Sequence, residues 1–427
     1  QMCIRDRFMT ESTEQQSTWR TKLKALGPGI LMASAAVGGS HIVSSTQAGA
    51  IYGWQLALLI ILINIFKYPF FRFGSQYTME NNKSLIEGYA EKGKGWLAVF
   101  FILNVFSAIV NTAGVGILCA AILYNVFPNG FGLSISQLTT VIIVIIWAML
   151  LIGGYRFLDS LAKWVMTALT IATVLAVVVA LFKHREYAPN FEAPTPWRMA
   201  ALPFIVSLMG WMPCPIEISA ISSMWSVEKR KTVNMSEDDA VFDFNTGYVG
   251  TAILALIFCA LGALIQFGSG EEVQGASAAY IAQFVNMYAE VLGEWARFLI
   301  TLIAFLCIFG TVITVIDGYS RANNESLRLL LGKKESSQKA LYAWMTVTAA
   351  VGLVIVYLFA GNVATMLHFA MIASFITTPF FGYLNYSLVN NKEHQIKPWL
   401  KVLSIIGLIY LFGFALFFII AWLTGNI

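Results

Sequence analysis

Eleven stretches of the chain stay apolar for about twenty residues or more, at roughly 28–52, 54–74, 96–126, 136–154, 158–183, 199–225, 241–267, 294–320, 340–360, 362–388 and 399–424. A helix of that length crosses the ~30 Å hydrocarbon core of a bilayer. None of the stretches alternates with the period of two that marks an outer-membrane strand. The pattern therefore predicts an all-α integral membrane protein with eleven transmembrane helices, each satisfying its own backbone in lipid.

Two of the eleven carry helix breakers at their midpoints. Span 1 has Gly38-Gly39-Ser40-His41, and span 6 has Met212-Pro213-Cys214-Pro215. Glycine in a helix interior is unfavourable relative to alanine by about 1 kcal/mol, and proline removes an amide donor and clashes with the preceding turn. Each span is thus read as two half-helices, broken at Gly38, Gly39, Pro213 and Pro215. Interruptions five spans apart, at matching places of two halves, point to an inverted-repeat secondary transporter with its site near the midplane.

Composition strengthens the membrane reading. Of 427 residues, 58% are hydrophobic and 12% charged, too little polar surface to coat a soluble domain of this size. A secreted enzyme, a nucleic-acid-binding domain and a disordered scaffold are excluded. The net charge of +4 says little until it is sorted by side. With a cytoplasmic N-terminus, the inner segments hold 21 Lys and Arg, against four outside, Lys183, Arg185, Arg198 and Arg297. That bias predicts a multi-pass protein of the cell (inner) membrane with its N-terminus inside. Lys67 and Arg72 are counted as inner residues that snorkel from span 2 to the lipid surface. Cys119, Cys214, Cys259 and Cys307 lie within apolar runs, and with Cys3 they form no disulfide or zinc spacing. Gln1 to Phe8 read as an appended segment, with Met9 the expected start.

Several residue sets carry a resemblance. Gly27-Pro28-Gly29, the break, and then Gln47-Ala48-Gly49-Ala50 resemble the first span of the Nramp (natural resistance-associated macrophage protein) divalent-metal transporters. Met212-Pro213 is similar to that family's Met-Pro-His in span 6. Asn64, Ser84-Leu85-Ile86-Glu87 and Thr378-Pro379-Phe380 are similar to later family positions. The resemblance implies a LeuT-type fold of five plus five inverted spans, alternating access, and inward movement of ions such as Mn²⁺ or Fe²⁺. It divides the chain into a polar N-terminus (1–26), a first repeat (27–190), a second repeat (191–390) and an added span 11 (391–427).

Where the chain departs from the family is informative. The resemblance implies a metal-binding Asp and Asn in the first break, and these are Gly38 and His41 here. The thioether ligand is kept as Met212, the contributing carbonyl belongs to Met209, and the neighbouring His is Cys214. Without the carboxylate, hard ions lose their natural partner. Imidazole, thioether, thiol and carbonyl groups suit a softer divalent ion of the Mn, Fe, Zn or Cd class. Glu217, one turn beyond Pro213, is a carboxylate at a depth where it must pair, line water or carry protons. It stands either for the missing charge or for a packing contact near Ser219 or Ser222.

Relatives carry three acids on span 3 that align with Asn104, Asn111 and Gly114, on one helical face with Ser107. Amides do not exchange protons near neutral pH. Uptake is therefore expected to lack the usual proton relay, any coupling passing through His41 and Glu217. His368 of span 10 is either part of this path or bonded to a carbonyl, and Asp317 is expected to pair with Arg321 at i+4. There is no phosphate-binding loop, so no cofactor, nucleotide, nucleic acid, catalytic group or obligate protein partner is expected beside the bilayer and the transported ion. Two rivals remain: a carrier of an amino-acid-like solute on the same fold, and a sensor that kept the fold without transport.

Overall fold

The computed structural model describes residues 22, 24–127, 131–153, 156–183, 187–275, 277–359, 361–390 and 396–427. Cys3, Met9, Arg20, Arg185 and Lys392 lie outside them.

Within the described residues the regular structure is helical throughout. Span 1 is α1 (Pro28–Ala36), a π-helical stretch (Ser40–Ser45) and α2 (Thr46–Tyr52). Span 2 is α3 (Ala57–Asn81), followed by the short α4 (Leu85–Lys92). Spans 3 to 5 are α5 (Lys94–Val126), α6 (Ile135–Ile152) and α7 (Arg156–Phe182). Span 6 is α8 (Leu202–Gly210) and α9 (Ile218–Arg230), with an unwound stretch between. Span 7 is α10 (Glu237–Ile265), then comes α11 (Ala278–Leu292), and span 8 is α12 (Trp295–Leu330). Spans 9 to 11 are α13 (Gln338–Leu358), α14 (Val363–Val389) and α15 (Pro398–Leu423). Nine of these are long and apolar enough to cross a membrane, and the two halved spans complete the set of eleven.

Both halved spans are broken, with one refinement. In span 1 the helix stops at Ala36 and Val37 turns to extended ψ, so Ser40 and His41 belong to the first turn of the second half, not to the gap.

Backbone approach explains the glycine motifs. A Cβ on Gly29 would sit 2.2 Å from the Asp243 carbonyl oxygen, and one on Gly49 only 1.9 Å from that of Cys259. Span 7 supplies glycines at the same two crossings: a Cβ on Gly247 would lie 2.1 Å from the Gly29 oxygen, and one on Gly262 the same distance from that of Thr46. Spans 1 and 7 thus cross backbone to backbone at two levels, the packing small residues permit in a bilayer. Asp243 of span 7 also caps span 1, accepting the Gly27 and Gly29 amides at 2.8 and 2.7 Å, two donors that the helix start would otherwise leave unpaired. The Ser84–Glu87 motif is a reciprocal capping box that starts α4.

Span 3 runs through the middle. The most apolar window of α5 is 83% buried, against 28% for those of spans 5 and 11, which present their large side chains outward. Around span 3 stand spans 8, 9, 4 and 10, and the two breaks reach it where Gly39 approaches Leu118 and Trp211 approaches Gly114.

Candidate functional site

The two breaks face one another across a cavity of about 40 Å³. Span 1 contributes Gly38, Gly39 and Ser40, span 6 Trp211, Cys214 and Pro215, span 3 Asn111, and span 8 Thr311 and Tyr319. A Cβ on Gly39 would lie 2.7 Å from the Trp211 ring, so the second glycine of the first break makes room for the indole. The Ser40 hydroxyl lies between the two breaks, 2.8 Å from His41 Nδ1 and 3.0 Å from the Ala36 carbonyl in span 1 and 3.4 Å from the Pro213 carbonyl in span 6.

Polar groups behind the cavity form one chain. Trp211 Nε1 donates to Asn111 Oδ1 at 3.0 Å, Asn111 Nδ2 donates to Tyr319 Oη at 3.1 Å, and Tyr319 Oη donates to Glu217 Oε1 at 3.1 Å. Asn111 both accepts and donates, which an ionised carboxylate cannot do. The amide at this position is therefore a working member of the chain. Glu217 is buried at the start of α9, with Ser107 of span 3 within interaction range of its carboxyl. Its Oε2 nevertheless lacks a hydrogen bond of good geometry. Ser219, one of the partners considered for it, instead receives a hydrogen bond from Asn385.

Other residues expected here are placed elsewhere. His41 is fully buried and turned toward span 7, with Nε2 3.0 Å from the Thr251 carbonyl and Nδ1 2.8 Å from Ser40 Oγ. A carbonyl only accepts, so the neutral ring carries its proton on Nε2 and Nδ1 accepts from Ser40. Neither nitrogen is left for an ion. Met212 is buried in the apolar cluster around spans 2, 6 and 7, outside the cavity lining. Met209 sends its sulfur to Tyr410 Oη of span 11, 3.0 Å away. Asn104 pairs with Asn323 of span 8, and His368 Nδ1 meets Ser207 Oγ at 3.1 Å, again away from the cavity. Asp317 and Arg321 form the anticipated ion pair at 2.7 Å.

The reading of Lys67 and Arg72 as snorkelling residues is overturned. Both are buried, Lys67 completely. Span 2 extends to Asn81 rather than ending near residue 74, so Lys67 sits about 15 Å in from Ala57, at mid-membrane depth. Its ammonium donates to the Met209 carbonyl at 2.7 Å and to the Gly210 carbonyl at 3.0 Å. Arg72 lies over the Trp399 ring of span 11. The signal was available, because a lone lysine inside an apolar run marks a functional position by default; the misplaced helix end concealed it. Trp211 and Tyr319 carry no comparable signal, being ordinary aromatic members of apolar runs.

A family model described as natural resistance-associated macrophage protein-like matches residues 29–421. This chain belongs to the Nramp family. An uncharacterized protein of Pasteurella multocida is 57% identical over 427 residues, covering 98% of both chains. Among solved structures, a variant of the Eremococcus coleocola manganese transporter superposes with a TM-score of 0.73 at 15% identity, covering 97% of this chain and 90% of that one. MhsT in complex with L-phenylalanine superposes at 0.61 and 12% identity, covering 94% and 100%. A nucleobase-cation-symport-1 family transporter in a closed conformation does so at 0.60 and 15%, covering 89% and 81%. At these identities the likeness is one of fold, and it is the LeuT-type arrangement with broken spans 1 and 6.

Among the described residues no three His, Cys, Asp or Glu side chains converge to hold a metal. The polar groups that reach the cavity are one thiol, hydroxyls, an amide and backbone, set in a mainly apolar wall that includes Val115, Ile218 and Val315, with Glu217 behind Tyr319.

Proposed function

We propose that this Nramp-family protein is a secondary transporter that moves a divalent metal cation across the inner membrane by alternating access of its two repeats (27–190 and 191–390), with its N-terminus in the cytoplasm. The observation that carries the reading is the size and lining of the space between the two breaks. About 40 Å³ is room for one small ion or about one water molecule, whose share of liquid volume is about 30 Å³. An amino acid or nucleobase does not fit it in this conformation. The manganese transporter of the same fold is a second support.

The ion would meet Cys214 and the oxygens of Ser40, Asn111, Thr311 and Tyr319, with Glu217 supplying negative charge one residue behind. A thiol among neutral oxygens suits a softer ion of the Mn, Fe, Zn or Cd class better than Mg²⁺ or Ca²⁺. His41 is held by its neighbours, and Asn104 and Asn111 are amides, so uptake would proceed without the family's usual proton relay.

Proteoliposomes loaded with a metal-quenched dye test the reading. Entry of at least one divalent ion is expected, and no quenching from Mg²⁺ through Cd²⁺ would reject it. An internal pH dye in the same vesicles is expected to stay flat during metal entry; acidification in step with the flux would restore proton coupling. Competition by a labelled amino acid, without metal entry, would transfer the site to an organic solute.

A further inference from the structure

We infer that Lys67 is a tethered monovalent cation, its ammonium filling a cation site formed by the end of the first half of span 6.

A helix leaves its last carbonyls without internal partners, and their dipoles concentrate negative potential at that end. In span 6 the end lies in the middle of the membrane, because α8 stops at Gly210 and α9 begins only at Ile218. No water-rich surface is there to receive the orphaned Met209 and Gly210 carbonyls. A small cation meets that need in carriers with discontinuous helices, where unwound carbonyls and half-helix C-termini coordinate Na⁺ or H⁺. Here the need is met from within the chain: Lys67 reaches across from span 2 and donates to both oxygens at 2.7 and 3.0 Å.

The surroundings fit a fixed charge. Lys67 is fully buried and has no acidic partner within ion-pair distance among the described residues, while Cys214 and Glu217 are near enough to interact with it electrostatically. An unpaired ammonium at this depth is expensive unless its hydration is replaced by donor-matched oxygens. Two helix-end carbonyls and the field of a buried carboxylate provide that replacement. Since Met209 is the residue whose carbonyl the family resemblance assigns to the transported ion, the ammonium also withdraws this oxygen from the substrate. That last point rests on the metal reading above; the cation site itself does not.

Two consequences follow. The protein needs no exchangeable monovalent ion at this helix end, and removing the ammonium opens a site for one. The probe is ethylammonium, alongside Na⁺ and K⁺, tested on the purified full-length chain by thermal melting in detergent. The wild type is expected to be insensitive to all three at matched ionic strength. Lys67→Ala is expected to melt lower and to recover by at least about 2 °C in saturating ethylammonium, by mass action on the vacated site. Lys67→Met, which keeps most of the side-chain volume without the charge, is expected to melt lower and not to recover.

If Lys67→Ala cannot be isolated in ordinary buffer, its recovery only when ethylammonium is present throughout purification supports the site equally. A Lys67→Met protein as stable as the wild type, or a folded Lys67→Ala protein indifferent to every small cation, overturns the proposal. These readouts do not use transport, so failure of metal uptake leaves them standing. Where uptake is observed, it is expected to be independent of Na⁺ and K⁺ in the wild type and to gain such dependence in Lys67→Ala.

Discussion

Glu217 is bonded through one oxygen to Tyr319, while the other is buried without a hydrogen bond of good geometry, behind a cavity lined by neutral groups. Glu217→Gln keeps an oxygen to accept from Tyr319 and removes only the charge. Divalent-ion uptake in proteoliposomes is expected to fall at least roughly tenfold, equivalent to about 1.4 kcal/mol, with the melting temperature little changed. Unchanged uptake would reduce the carboxylate to a packing contact. Asp243 makes the contrasting case, since both its oxygens are spent on the amides that open span 1. Asp243→Ala leaves the buried Gly29 amide and the half-buried Gly27 amide unpaired and is expected to destabilise the protein by about 1–3 kcal/mol for the buried one and less for the other, seen as a lower melting temperature in detergent. The need for a helix start at Gly27-Pro28-Gly29 was legible in the chain. Its partner was not, because the carboxylate stands 214 residues away from Gly29.

Among the elements, span 7 offers a test within one helix. Gly247 and Gly250 are three residues apart, yet a Cβ at the first would collide with the Gly29 carbonyl at 2.1 Å while one at the second meets nothing within 4 Å. Gly250→Ala is expected to be neutral or to stabilise by up to about 1 kcal/mol through helix propensity. Gly247→Ala must push spans 1 and 7 apart and is expected to cost about 1–3 kcal/mol as overpacking does. Melting the two variants side by side checks the opposite signs; equal effects would mean that the crossing is not close-packed. The breaks themselves were readable from glycine and proline placement. Which residues they expose was not: the chain suggests His41 and Met212 by position, and the structure turns the one into span 7 and the other into an apolar cluster.

For the whole molecule, the Lys and Arg bias gives an orientation that labelling can check. Burial of Lys67 and Arg72 takes two residues out of the inner tally, and the excess persists without them. In intact cells a membrane-impermeant thiol reagent is expected to label Glu271→Cys, in the exposed loop after span 7, and to leave Lys334→Cys, in the exposed loop after span 8, unlabelled until the membrane is opened. The four described native cysteines are buried and give a low background. The reverse pattern would invert the topology and with it the direction assigned to transport.

By itself the sequence determined what depends on local composition: eleven apolar runs of spanning length, a charge bias from which an orientation is proposed, and two breaks from residues that cannot continue a helix. These follow from the solvent each residue must face and from backbone sterics, both of which act over a few residues. Only the tertiary structure decided the use of each polar group. Asn111 joins Trp211 to Tyr319 and so to Glu217, His41 is satisfied by Thr251 and Ser40, and Lys67 caps a helix end 142 residues away. In a medium without water a buried polar group must find its partner in the protein, and which partner is near depends on how distant helices pack.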